Sequence, residues 1–229
     1  MSEISLVKSS ILLSSAHLGV WGQLFWLVVF VLPLCLWHIT SDVYGYFRYG
    51  APTGQIWYVF SKLFGLYGAL LIWYQAFSTL LKNTCYSSTF PSWTLLRHRY
   101  LGGLTLLVIT CHIAFFVTAV SLREETFAWN LLLPDFRDFY HTAITIGLIG
   151  FAMALMAVFV ATLRGRFPNI WKVLHRAMLA VVTLGLVHGF LIGTETRYGL
   201  FEIFYCSLMV TFLGAAWLRW REARGRVLL

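Results

Sequence analysis

Six long apolar stretches limit what this chain can fold into more than any other feature of its sequence. They run near Gly22–Thr40, Gln55–Leu81, Trp93–Val120, Tyr140–Leu163, Asn169–Gly193 and Arg197–Trp220. A helix that crosses the hydrocarbon core of a bilayer needs roughly 20 mostly apolar residues. The third and fourth stretches are the clearest, since Tyr100 to Val120 and Thr142 to Leu163 carry no charge. Lys62 interrupts the second and is long enough to snorkel toward an interface, and Glu202 stands near the start of the sixth. Of 229 residues, 59% are hydrophobic and 11% charged, against about 45–50% and about 25% in soluble domains. In water such a chain would expose large apolar patches, so the bilayer is its natural solvent. The sequence therefore predicts an all-α integral membrane protein, a six-transmembrane-helix bundle forming one domain over residues 1–229. Residues 1–21 have one lysine, scattered serines and no cleavage pattern, and read as a short interfacial segment rather than a signal peptide. Residues 221–229 read as a basic tail.

The formal charge of +8 has a topological explanation. Lys and Arg concentrate on the cytoplasmic side of membrane proteins. With the N-terminus inside, the inner segments hold Lys8, Lys82, Arg97, Arg99, Arg164, Arg166, Lys172, Arg176, Arg219, Arg221, Arg224 and Arg226. The outer segments then hold only Arg48, Arg123, Arg137 and Arg197, together with most of the acids. Both termini are expected in the cytoplasm, in a plasma or bacterial inner membrane. No nucleic-acid signature accompanies the positive charge. The four cysteines, Cys35, Cys85, Cys111 and Cys206, form no CxxC or CxxCH, and read as small buried hydrophobes.

Four of the seven histidines form two ladders. His98 and His112 stand 14 residues apart on the third span, and His175 and His188 stand 13 apart on the fifth. Both spans start on the cytoplasmic side, so His98 faces His175 at one depth and His112 faces His188 at another. Ser92 and Asn169 each precede their inner histidine by six residues and are candidate N-caps that fix this register. The two rungs lie roughly 20 Å apart along the helices, which places one near each face of a core about 30 Å thick. A spacing of 14 returns to within roughly 40° of the same helix face, whereas 13 misses by roughly 140°. The fifth span must therefore bend, carry a π-bulge, or approach its two sites from different sides. Polar side chains in hydrocarbon are costly and usually functional. Neutral imidazoles can fill both axial positions of a haem iron, leaving no open site and favouring electron transfer. The matched rungs predict two b-type haems, with His98 and His175 on the inner iron and His112 and His188 on the outer. One zinc site cannot use all four, because a tetrahedral centre needs its ligands in one small sphere. Gly102, Gly103, Gly185, Gly189 and Gly193 lie near the ladders, and serve either macrocycle clearance or helix packing. Arg97, Arg99 and Arg176 are candidate contacts for the inner propionates, with the positive-inside bias as the alternative and the favoured one for Arg97. His38 and His141 fall near outer span ends, as interfacial side chains or as part of an acceptor side, and His17 reads as an interfacial or loop residue.

The run Arg97-His98-Arg99-Tyr100-Leu101-Gly102 through His112, with Leu174-His175-Arg176 through His188, resembles the ferric-reductase-like transmembrane domain family. That family includes the membrane parts of NADPH oxidases and ferric reductases and the haem subunit of the periplasmic methionine sulfoxide reductase system. The resemblance covers roughly Gln55 to Trp220, and the 14 and 13 spacings are similar to the NADPH-oxidase type. It implies transmembrane electron transfer through two haem b groups, with the same four histidines as axial ligands. Two departures stand out. The full-length reductases carry flavin and nicotinamide domains after the sixth span, whereas this sequence ends at Leu229 and has no GxGxxG fingerprint. FAD and NAD(P)H chemistry is then expected only from a separate cytoplasmic flavin reductase, with an extracytoplasmic acceptor such as ferric iron, oxygen or a periplasmic redox protein. The sulfoxide-reductase haem subunit typically lacks the inner histidine of the third span, and His98 is present here. Two other readings stay open: a quinol-oxidising cytochrome b subunit of a respiratory complex, and a haem-free membrane scaffold or transporter.

Overall fold

The computed structural model describes residues 22, 24–82, 84, 95–193 and 199–225. Among these, all regular structure is helical: α1 (Leu24–Thr40), α2 (Val43–Tyr49), α3 (Gln55–Leu81), α4 (Leu95–Glu124), a 3-10 turn (Trp129–Leu132), α5 (Phe139–Thr162), α6 (Pro168–Arg176), α7 (Met178–Ile192) and α8 (Gly199–Gly225). Five helical stretches are long and apolar enough to cross a membrane, α6 and α7 counting together as one. The bent pair α1 and α2 makes a sixth if it forms a single span. This is a multi-pass membrane architecture. The end carrying the α4–α5 connection is termed outer, after the charge asymmetry of the sequence.

Local chemistry sets the helix ends. Asp42 accepts from the Gly45 N–H at the start of α2, and Asp138 accepts from the His141 N–H at the start of α5, each filling a donor that the first turn leaves unpaired. Gly54 begins α3 at φ 76° and lies against α4, where a Cβ would stand 2.3 Å from the Ala119 carbonyl oxygen. Only glycine combines that backbone with that approach. Two expectations are corrected. Asn169 is not a cap: Pro168 opens α6, Phe167 holds the cap position without a side-chain bond, and Asn169 lies inside the first turn. Proline suits that first position because its φ is already helical. Residues 221–225 continue α8 rather than forming a tail. The first span ends in a bend of 40° into α2. Ser92, Trp93, His17 and Arg197 lie outside the described residues.

α3 is the hub, packing along α4 over its length and also against α7 and α8. α5 packs along α7, whereas α4 and α7 are not among the helix pairs that run against one another. The larger core joins α1, α3, α7 and α8 through Trp26, Trp37, Leu70, Trp73, Val182, Leu186, Phe204 and Leu208. A second, smaller cluster at the outer end joins Val117, Ala128, Leu131 and Ile144. In lipid, such packing gains dispersion and hydrogen bonding rather than hydrophobic burial. Cross-helix bonds run from Trp37 Nε1 to the Val59 oxygen at 2.9 Å and from Tyr67 Oη to the Phe30 oxygen at 2.8 Å. Gln75 Nε2 donates to Thr105 Oγ1 at 2.7 Å. Leu107, Phe159, Val210 and Leu213 are exposed apolar side chains that a bilayer would cover.

Candidate functional site

The separation of α4 from α7 leaves a slot, and the ladder histidines face each other across it. The rings of His98 and His175 have centroids 5.8 Å apart and planes 86° apart. Those of His112 and His188 are 6.3 Å apart and 72° apart. An imidazole nitrogen sits about 2.0–2.1 Å from a metal, so two rings on opposite sides of one ion have centroids roughly 6.3 Å apart. The outer pair has that spacing, and the inner pair is closer, at 5.8 Å.

The fifth span reaches both partners through an interruption. Between α6 and α7, the Ala177 N–H donates to the Leu174 oxygen at 3.1 Å and to Val173 at 3.3 Å. The i→i−3 bond marks local tightening toward 3-10 winding, which turns about 120° per residue instead of about 100°. One such turn recovers roughly 60° of the roughly 140° mismatch.

The outer pair is held in detail. His112 Nδ1 donates to the Ser61 carbonyl at 2.8 Å, and the Ser61 hydroxyl donates back to the His112 carbonyl at 3.0 Å. His188 Nδ1 donates to the Ala143 carbonyl at 2.7 Å. A carbonyl can only accept, so each neutral ring carries its proton on Nδ1 and keeps the Nε2 lone pair for a metal. A hydrogen bond from the far ring nitrogen is the kind of support that fixes tautomer and orientation in histidines of metal sites. One turn beyond each carbonyl lies a glycine. A Cβ on Gly65 would stand 3.0 Å from the His112 ring, and one on Gly147 would stand 2.6 Å from His188 Nδ1. The same device thus occurs twice: α3 seats the α4 histidine and α5 seats the α7 histidine, each on a carbonyl and a glycine four residues apart.

Both outer rings line a largely apolar cavity, together with Ile109, Phe116, Leu148, Phe151, Val181 and other side chains. Gly185, Gly189 and Gly193 also line it, but in different ways. A Cβ on Gly185 would meet no atom within 4 Å, so this glycine leaves room in the cavity. A Cβ on Gly189 would stand 2.8 Å from the Tyr205 ring, so that glycine serves helix packing against α8. Gly103 faces outward and Gly102 approaches only Gln75, at 3.7 Å. Clearance and packing are therefore divided among the glycines.

The inner pair is less enclosed. His98 and His175 are half-buried, and the His175 ring stacks on Trp171 at 5.5 Å. Arg99 and Arg176 are exposed on the residues that follow them. His38 is exposed. His141 sits at the outer end of α5, with Nδ1 2.8 Å from Asp138 Oδ2 and Nε2 3.3 Å from the Arg137 guanidinium, and is not a lining residue of the cavity. Cys35, Cys111 and Cys206 are free thiols.

Among the described residues no three of His, Cys, Asp and Glu converge on a point where they could hold a bare metal ion. Two imidazoles are what an iron needs when a porphyrin supplies its other ligands. Spacing, tautomer, apolar lining and glycine clearance at His112 and His188 all fit such a group, and at the inner pair the two rings face each other at the shorter spacing of 5.8 Å. The seats were not among the residues singled out from the sequence. Their signal is the pairing of small residues four apart, Ser61 with Gly65 and Ala143 with Gly147, the small-xxx-small pattern of close helix contact. Compared with family models, curated proteins and solved structures, the chain matches none.

Proposed function

We propose that this chain is a transmembrane electron carrier of the ferric-reductase-like type. It holds two b-type haems, one between His98 and His175 and one between His112 and His188. Electrons pass from a cytoplasmic flavin reductase that uses NAD(P)H, through both sites, to an extracytoplasmic acceptor. The observation that carries this reading is the pair of imidazole couples, 5.8 and 6.3 Å between ring centres, facing across the slot between α4 and the α6–α7 span.

When bound, haem supplies reversible one-electron chemistry. The chain's own residues do the rest. His112 and His188 present Nε2, because Ser61 and Ala143 hold their Nδ1 protons. Were a haem held at each site, the paired imidazoles would occupy the positions a substrate would otherwise take, which would favour outer-sphere transfer. The apolar lining keeps water from the outer site and lowers the local dielectric. Lys82, Arg99, Arg164, Arg166, Lys172 and Arg176 form a basic inner face, which suits steering of an acidic partner protein.

The test is a pyridine haemochrome assay on the purified chain, with stoichiometry per polypeptide. Two haem b per chain are expected. His112→Ala or His188→Ala should remove the outer haem, and His98→Ala or His175→Ala the inner one. A wild-type protein without Soret absorbance, or ligand variants that retain both haems, would overturn the reading. Reduction by quinol with no response to any flavin reductase would instead favour the respiratory cytochrome b reading.

A further inference from the structure

Two exposed tryptophans near the inner end of α8 each carry an arginine one turn further on. The Arg221 guanidinium lies 5.6 Å from the centre of the Trp217 ring, and the Arg224 guanidinium lies 4.0 Å from the centre of the Trp220 ring. All four side chains are exposed. Spacing of i and i+4 brings each pair together on one helix face. Val210 and Leu213 stand seven residues before Trp217 and Trp220, and are exposed apolar side chains of that same face. The packed side of α8 is the opposite one, where Phe212 and Ala215 are buried. The tryptophan–arginine pairs thus prolong a surface turned away from the bundle, which a bilayer would cover.

Depth follows from the charge pattern. α8 carries no charge between Glu202 and Arg219, so Trp217 and Trp220 straddle the inner limit of the hydrocarbon, the level at which indole rings are enriched. Arg221 and Arg224 then reach just beyond it, into the layer of headgroup phosphates. Stacking on an indole covers one face of a guanidinium and leaves its edge open, where the planar fork of N–H donors matches a phosphate. Each ring also holds its arginine in place beforehand, which lowers the ordering cost of binding. Among the described residues neither arginine has an acid at ion-pair distance. Glu222 follows the buried Ala215 by seven residues and so lies toward the packed side.

From this we infer that Trp217, Trp220, Arg221 and Arg224 form a binding site for the phosphate headgroup of an anionic phospholipid in the inner leaflet. The occupant is a lipid because the two cations continue an exposed hydrocarbon face, along which Val210 and Leu213 receive acyl chains. It is anionic because this end of the face holds two positive charges and no acid. None of these residues belongs to the histidine ladders, so the inference stands apart from the two-haem reading and each can fail without the other.

The experiment is native mass spectrometry of the purified full chain in detergent containing equimolar phosphatidylglycerol and phosphatidylcholine. The readout is the ratio of the two in the first lipid retained. Wild type should favour phosphatidylglycerol, and Arg221→Gln or Arg224→Gln should each lower the ratio by about fivefold. Trp217→Leu with Trp220→Leu keeps both charges and the apolar surface but removes the stacking, and should lower the ratio by about threefold. Arg221→Lys with Arg224→Lys, the mildest change, keeps the charges and loses the planar fork, so the ratio should fall there too. Arg164→Gln with Arg166→Gln removes two inner charges elsewhere and should leave the ratio as in wild type. A wild-type ratio near one, or arginine variants with an unchanged ratio, would overturn the site. An equal fall in the Arg164 and Arg166 variant would assign the preference to a diffuse positive field and overturn it as well. Displacement of the lipid by inorganic phosphate would give the arginines to a free anion and overturn the lipid occupant.

Discussion

Gly147→Ala tests the outer seat most directly. The added Cβ would stand 2.6 Å from His188 Nδ1, 2.7 Å from Cε1 and 2.9 Å from Cγ. Ordinary contact begins near 3.4 Å, so the ring must retreat by at least 0.8 Å (3.4 minus 2.6). Its Nδ1–H···O bond to Ala143 is 2.7 Å long, and a retreat of that size takes it to about the 3.5 Å limit of a hydrogen bond. Losing that bond costs about 1 kcal/mol, and overpacking adds about 1–3 kcal/mol. Loss of such outer-shell support typically lowers metal affinity 10–100-fold. The same change at Gly65 meets the His112 ring at 3.0 Å, half the intrusion, and should weaken the outer site less. The assay is haem stoichiometry and the resolved α-bands of the purified variants, with helix content checked by circular dichroism. The expected order of outer-haem retention is wild type, Gly65→Ala, then Gly147→Ala, with the inner haem kept throughout. A fully loaded Gly147→Ala protein with wild-type spectra would show that the seat does not position the ring.

Other outcomes follow from the same geometry. Gly185→Leu adds its side chain where no protein atom lies within 4 Å, so it should leave the bundle intact and block the outer haem; Gly103→Leu, outward-facing, should keep it, and haem content of the two variants decides. The two rungs span about two-thirds of the hydrocarbon core, so 100 mV across a vesicle should shift the electron equilibrium between them by about 1.5 kcal/mol; potential-jump spectroscopy with no such shift would refute the two depths. Asp138 accepts the His141 N–H, and that bond, with the His141 ring, holds its carboxyl below the ordinary range. Its support of the α5 terminus is therefore present above about pH 3.9 and is lost as pH falls through the lower folded value. Hydrogen-exchange protection factors in the first turn of α5 should drop on acidification, and Asp138→Asn should abolish that dependence.

The spans were legible because length and hydropathy decide them. α3 runs over Gln55–Leu81, the limits read from the sequence, and α5 differs by one residue at each end. The histidine depths were legible because rise per residue is constant in a helix. Less accessible was whatever depends on neighbours. The interruption at Ala177 leaves no proline or glycine as a marker at that residue. Asn169 looked like a cap because capping preference is local, yet Pro168 one residue earlier already opens the helix. The role of Gly65 and Gly147 was hidden because the side chains they admit come from positions 112 and 188, far along the chain. Lys62 reads as a snorkelling residue, and that it also lines the outer cavity depends on helices far along the chain.

Both outer rings are tethered to main-chain oxygens, those of Ser61 and Ala143. Such a tether has no protonation state, so acidity within the operating range cannot switch it off. Nor can drift of the amino acid at position 61 or 143 delete it, since every residue brings the same oxygen. The vulnerability moves instead to helix placement. A slide of α3 or α5 by an ångström would swing the imidazole with it, so anything that levers these helices would re-aim Nε2 of the ring without touching it.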